Sequence, residues 1–417
     1  MFLASAIWIY MTRSFRPFLI EGKFRNCLDF EDMEDLGLYV HIPFCRSLCS
    51  FCPYFKVVYD QEQAAAFKSA LLKEIELVCR ELKEEKLVSS LYFGGGTPAL
   101  MAEDLKEIID ALQSHFIIRG GIGVELHPSD LTQEVLEKLK TAGVTMVSLG
   151  IQSFDEGCLS KLGRNGDTFI EKMHLVREFG FSVVDVDLIF AIPGQTDEIL
   201  KKDLMTAFDN GATQVSTYPF IDFTFADNEY KPMSRHVKKR MLEHLTGFAR
   251  EKGIERTSVW TFAKKDTQKY SSVTRDAFLG FGPSATTLLK DIFKINTFSI
   301  EDYIDRVNIG FLPTSLTLDF TKRQRAAYYL FWGAYSMKFS REKFEGIIGT
   351  PLDRMFGVEL YVAVKLGLLH RRGSWYELSD QAAILYHDIE QVYTTAYIDR
   401  MWNISRNEAF PRRIILK

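Results

Sequence analysis

The chain has little of what marks a secreted, membrane-spanning or polyanion-binding protein. Its 417 residues hold only six cysteines and twelve prolines, and it contains no Pro/Gly/Ser-rich linker and no low-complexity segment. Six thiols are too few for a disulfide framework at this length, and with 47% hydrophobic residues the chain can bury a core without one. Charge of one sign is also scarce: a net charge of −4 creates no field that would gather nucleic acid or anionic lipid, although it leaves room for a local basic patch. Long apolar runs are missing as well. "MFLASAIWIYM", residues 1–11, is shorter than the roughly 18–20 residues of a membrane span, has no basic residue before it, and is followed at once by Arg13 and Arg16. It reads as a packing segment rather than a signal peptide. These absences predict a reduced, cytoplasmic protein of two or three domains with small-molecule or protein partners, no nucleic acid and no membrane.

What is present is an alternation of short β-type runs with helical patterns from residue 38 to about 262, which predicts an α/β fold on parallel strands. The strand candidates are "LYVHI", "SSLYFGGG", "IGVELHP", "VTMVSLGIQSF", "SVVDVDLIFAIPG" and "TQVSTYPF". Helices are expected at residues 62–85, 102–116, 131–141, 168–179 and 197–209; in the first, Phe67, Leu71, Ile75, Val78 and Leu82 recur at helical spacing. Six β/α units are too few for a closed eight-unit barrel, so a partial one is expected. Such a fold gathers function at the C-terminal strand ends, and the unusual residues collect there: the cysteines, Gly94 to Pro98, Glu125 to Pro128, Gln152, and Pro193 with Gly194. After residue 295, "TKRQRAAYYLFWGAYSM" and "TPLDRMFGVELYVAVKLGLL" read as helices and "LLHRRGSWYELS" as a hairpin turning at Gly373-Ser374, together a winged-helix-like unit. The expected division is an N-terminal extension (1–36), a core (37–295) and a helical C-terminal domain (296–417). Lys365, His370, Arg371 and Arg372 make only a modest basic patch, which favours a structural or substrate-covering role for the wing.

Three of the six cysteines, Cys45, Cys49 and Cys52, fall in one loop after the first strand. Soft thiolates at such spacing select iron–sulfur clusters, zinc or copper(I), and structural zinc ordinarily takes four protein ligands. His41 is a candidate fourth ligand, with a strand position as the alternative. Cys79 lies on the apolar stripe of its helix, and Cys27 and Cys158 have no partner at ligand spacing. A four-iron cluster held by three cysteines would leave one iron open to an exogenous ligand.

"YVHIPFCRSLCSFC" resembles the cluster loop of radical S-adenosylmethionine (SAM) enzymes, in the branch of oxygen-independent coproporphyrinogen III oxidase and its relatives. The resemblance continues through "YFGGGTPALM", "VELHPSDLTQEVLEKLKTAGVTMVSLGIQSFDEGCLSKLGR" and "DLIFAIPGQT", and covers most of residues 37–390. It implies a partial (β/α)6 TIM-type barrel, a [4Fe-4S] cluster on Cys45, Cys49 and Cys52, and SAM chelating the open iron. Gly95, Gly96 and Thr97, in a turn that frees backbone polar groups, match the family's cofactor positions in order, followed by Glu125, Gln152, Arg164 and Asp187. Tyr39 and Phe51 match positions near the cluster and the adenine or methionine groups, with core packing as the alternative. No residue of this chain is singled out as catalytic.

The pattern also departs from the oxidase. Where the oxidase places a further cysteine two residues beyond the third, this chain has Tyr54, and "YSSVTRDAFLGFGPSA" has no histidine where related haem carriers have one. Trp260 to Arg275 is compatible with a substrate pocket. Three readings follow, in this order: methyl or methylene transfer to a tetrapyrrole or other substrate, using up to two SAM molecules; porphyrinogen oxidation; and noncatalytic haem binding. The chain has no second cluster motif, so the enzymatic readings require an external low-potential electron donor, a flavodoxin or ferredoxin.

Overall fold

The computed structural model describes residues 18–23, 27–226, 228–269 and 276–416; the apolar run at residues 1–11 and the stretch at residues 270–275 lie outside them. Six strands pair in parallel in chain order: β1 (Leu36–Ile42), β2 (Ser90–Gly95), β3 (Ile122–Leu126), β4 (Met146–Gln152), β5 (Val183–Phe190) and β6 (Gln214–Pro219). A seventh parallel strand, β7 (Ala277–Phe281), joins the free edge of β1. A helix, Arg235–Glu251, precedes it, but the six-unit reading assigned neither that helix nor this strand.

The connecting helices include α1 (Gln61–Cys79), α2 (Ala102–Gln113), α3 (Gln133–Thr141), α4 (Phe169–Glu178) and α5 (Asp197–Asp209). Their starts are set by side-chain caps: Asp60 accepts from the Gln63 amide, Thr132 from Val135 and Thr196 from Ile199. Their apolar stripes, such as Phe67, Leu71 and Ile75 of α1 and Leu105, Ile108 and Ile109 of α2, cover the outer sheet face and form the main core. The inner face is polar, because Glu125, Ser148, Asp185, Asp187 and Ser216 alternate with the apolar residues. Tyr218 on β6 lies close enough to Tyr54, just after β1, for the two phenols to act on each other electrostatically. The sheet therefore curls into an open barrel.

The sheet runs on past residue 295. Beyond β7 come Thr286–Leu288, Ile292–Asn296, Thr314–Asp319, Phe18–Glu21 and Arg413–Leu416, so the C-terminal end of the chain returns to the same sheet. The C-terminal region also holds a separate three-stranded sheet, Lys338–Ser340, Trp375–Leu378 and Leu369–Arg372, with the expected hairpin turning at Gly373. Two further helices, α6 (Asp380–Tyr393) and α7 (Asp399–Asn407), lead back to the mouth of the barrel. Among the described residues, no helix is long and apolar enough to cross a membrane.

Candidate functional site

The cysteine loop is pinned at both ends. Phe44–Cys45 pairs in parallel with Val57–Val58, so residues 46–56 arch over the C-terminal end of β1. Cys45, Cys49 and Cys52 are all half-buried and near enough for each to feel the others' charge. Burial pushes the Cys45 thiol up to about 11 and raises Cys52 as well. Three cations offset a thiolate cluster: Arg164 bonds Cys49, Lys56 donates to the Cys52 carbonyl at 2.8 Å, and Arg406 of α7 acts on Cys52. Among the described residues, no three His, Cys, Asp or Glu side chains converge as a single metal ion would require. Three thiols spread around one loop beside compensating cations fit a multi-iron cluster, in which each thiolate holds a different iron.

His41 is not available as a fourth ligand. Its Nε2–H donates to the Phe55 carbonyl at 2.9 Å, Nδ1 accepts from the Tyr39 hydroxyl at 3.0 Å, and burial holds the ring neutral by lowering its pKa to about 4.

The glycines at the end of β2 have occupied surroundings. A Cβ on Gly94 would meet the Glu125 carboxylate at 2.9 Å, one on Gly95 the His41 ring at 2.6 Å, and one on Gly96 the Phe44 carbonyl at 2.5 Å. Expected from sequence to admit a ligand, they first admit the protein's own groups. Gly95 also has φ +114° and donates its amide to Glu125 at 3.1 Å. Gly95→Ala is expected to lower stability by about 2 kcal/mol or more, from backbone strain and a displaced His41; an unchanged melting temperature would refute this.

Glu125 also accepts from the Tyr92 hydroxyl at 2.8 Å, and Asp187 accepts from Ser148 at 2.7 Å. Burial raises the pKa of both, and they act on each other. Gln152 ends β4 with φ +74°, where the pairing with β5 slips at Asp187/Leu188. A left-handed conformation at a residue with a Cβ costs of order 1–3 kcal/mol and is common at functional sites. Arg164 donates to the Gly150 carbonyl at 2.8 Å, and the Thr97 hydroxyl lies 3.8 Å from the Cys45 sulfur.

Residues 39–206 match the Radical SAM superfamily. They form a radical SAM domain. Over 369 residues the chain is 27% identical to the heme chaperone HemW of Bacillus subtilis, covering 84% of this chain and 97% of that protein. Over 307 residues it is 28% identical to the oxygen-independent coproporphyrinogen III oxidase of Pseudomonas aeruginosa, covering 66% of each. Coproporphyrinogen III oxidase (HemN) from Escherichia coli, a radical SAM enzyme, superimposes with a TM-score of 0.72 at 23% identity, covering 87% of this chain and 90% of that one, which establishes a common fold.

Within this radical SAM fold, Tyr39, Gly95, Thr97, Glu125, Arg164 and Asp187 gather with the cysteines at one end of the barrel. Phe51 stands apart, packed on Cys158, Leu162, Ile189, Ile192 and Phe220. Trp260 is buried and donates its indole N–H to His387 of α6 at 3.0 Å, so it anchors the C-terminal region. Sequence reasoning missed the C-terminal cover. Trp402 of α7 packs on Tyr54 with ring centroids 6.0 Å apart, and Arg406 donates to the Pro53 carbonyl at 2.7 Å. No local pattern links residues 353 positions apart, as Arg406 and Pro53 are. Tyr54 and Tyr218 are 49% and 39% exposed, yet surrounding protein raises both phenols far above their ordinary pKa. By strand alternation Tyr218 shares the inner face with Ser216, and Tyr54 lies near enough to act on it, so both border the open inside of the barrel, the chamber of this site.

Proposed function

We propose that Cys45, Cys49 and Cys52 bind a [4Fe-4S] cluster and that SAM lies across the ends of β1 to β5, against Tyr39, Gly95, Gly96, Thr97, Glu125, Gln152, Arg164 and Asp187, with Phe51 behind the loop. When bound, cluster and SAM supply a 5′-deoxyadenosyl radical, formed as one electron cleaves the sulfonium and releases methionine. The observation that carries this reading is the meeting of a three-thiol loop with Glu125, Asp187 and Tyr39 at one chamber. Glu125 and Asp187 accept hydrogen bonds from the amino acid and ribose parts of the ligand, Arg164 and Arg406 balance the thiolates, and α7 with Tyr54 and Trp402 shelters the chamber from water.

The radical serves methyl or methylene transfer to a small molecule, a tetrapyrrole first among candidates. Tyr54, standing where the oxidase carries a cysteine, supports this over porphyrinogen oxidation. The likeness to coproporphyrinogen oxidases supports oxidation as the second reading, and the near-full-length match to HemW supports haem binding as the third. An external flavodoxin or ferredoxin supplies electrons, and the setting is cytoplasmic. The test is anaerobic turnover with methyl-labelled SAM, a low-potential reductant and tetrapyrrole candidates. Label in the product, with both 5′-deoxyadenosine and S-adenosylhomocysteine formed, is expected. Carbon dioxide and 5′-deoxyadenosine without label transfer would establish oxidation instead, and the absence of SAM cleavage would favour a carrier.

A further inference from the structure

The proposed SAM site is rich in acceptors and short of donors. Glu125 and Asp187 are acceptors, and the backbone amides of the glycine turn are already committed: Gly95 donates to Glu125 at 3.1 Å, Gly96 to the Ile42 carbonyl at 2.7 Å and Thr97 to the Phe44 carbonyl at 2.6 Å. SAM brings a carboxylate of its own, which needs donors when it leaves water. Arg164 is the one cation among the residues assigned to hold it.

His127 stands beside Arg164 at the same strand ends. Its backbone is extended, with φ −90° and ψ 130°, so the alternation of β3 carries through it and sets it on the inner face with Glu125, one step nearer the mouth. The pairing of β3 with β4 runs as far as Leu126 with Leu149, which brings His127 next to Gly150, whose carbonyl accepts from Arg164 at 2.8 Å. Three residues on, Asp130 is ion-paired with Arg46 of the cysteine loop. His127 is thus held between Glu125 and that loop. One nitrogen of its ring is spare. Nδ1 accepts from the Ser129 amide at 3.2 Å, and burial, helped by the nearby Arg164, lowers the pKa to about 4 and keeps the ring neutral. A neutral ring that accepts at Nδ1 carries its hydrogen on Nε2. That Nε2–H has no partner among the described residues and is not among the polar atoms sealed from solvent, so it stays open to a ligand.

Resting on the SAM reading above, we infer that His127 is a further cofactor-binding residue whose Nε2–H donates, beside Arg164, to the carboxylate of SAM. A guanidinium and an imidazole N–H at neighbouring strand ends offer donors to both carboxylate oxygens, and hydrogen bonds to a charged group are the stronger kind. The ammonium and hydroxyl groups of the same ligand find their acceptors in Glu125 and Asp187.

The test is anaerobic equilibrium dialysis of the cluster-loaded protein against SAM and against decarboxylated SAM, which lacks only the carboxylate. His127→Asn, whose Oδ1 keeps the Ser129 contact but which puts no donor in the place of Nε2, is expected to weaken SAM binding about tenfold and to leave binding of decarboxylated SAM unchanged. His127→Gln, whose side-chain amide reaches the place of Nε2, is expected to recover most of the SAM affinity. Iron content and melting temperature are expected to match the wild type in both variants, which separates a lost contact from a lost fold. Unchanged SAM affinity in His127→Asn, or equal losses for the two compounds, overturns the inference alone. Binding of neither compound by wild-type protein with a full cluster overturns the SAM reading, and the inference with it.

Discussion

Replacing Cys45, Cys49 or Cys52 by alanine is expected to abolish the four-iron absorbance and reductive SAM cleavage together. The loop has no reserve ligand: His41 is committed at both nitrogens, and no described carboxylate or imidazole completes a three-residue group with the thiols. In the proposed cluster each lost thiolate would leave an iron without its protein ligand, beside cations that the cluster's negative charge would balance. The other three cysteines supply the control. Cys79 is buried in the main core, Cys158 is buried with its thiol bonded to Asp155, and Cys27 donates its thiol to Glu81 at 2.8 Å. Alanine there is expected to leave iron and sulfide per chain unchanged, at a packing cost of about 1 kcal/mol for the two buried sites. Iron and sulfide analysis with absorption spectroscopy after anaerobic reconstitution decides the matter. Full iron content in the triple variant at 45, 49 and 52 would overturn the assignment.

The parts of this site legible in the sequence are those whose chemistry is local. A three-thiol loop is one short segment, the six strand–helix alternations carry their own periodicities, and the residues at strand ends follow once the strands are placed. The parts that stayed hidden depend on tertiary contact. β7 is a five-residue run that follows the helix Arg235–Glu251 only after two short antiparallel strands, and its place beside β1 is a matter of pairing alone. The three glycines do read as a turn, but their neighbours His41 and Phe44 lie about 50 positions earlier and Glu125 about 30 later, so the reason for each missing Cβ could not be seen. The alternation in "VDVDL" puts Asp185 and Asp187 on one face, a visible signal that drew notice only to the second. Trp402 and Arg406 carry no signal at all.

Glu74 shows how far such hidden contacts reach. On α1 it reads as one more helical glutamate, yet it is fully buried, accepting from the Gly282 amide at 2.7 Å, the Tyr303 hydroxyl at 2.8 Å and the Asn296 amide at 2.9 Å. Lys294, 1% exposed, faces the same network and donates to Asn296 at 2.9 Å and Thr314 at 3.3 Å. Burial raises the Glu74 carboxyl and lowers Lys294 to about 8, while each favours the other's charged form. Removing one partner of such a pair strands the other charge and three donors, so Glu74→Ala is expected to cost about 3–5 kcal/mol in urea unfolding. Replacing both, Glu74→Leu with Lys294→Met, is expected to recover much of that loss, because the uncompensated charge is gone. Gly282 directly follows β7, which pairs with the strand that carries the cysteine loop, so Glu74→Ala is also expected to lose iron more readily on dilution or mild heating. A Glu74→Ala protein within 1 kcal/mol of wild type, a bound set from the typical size of such losses, would mean that water replaces the carboxylate and that the network is not what holds α1 against β7.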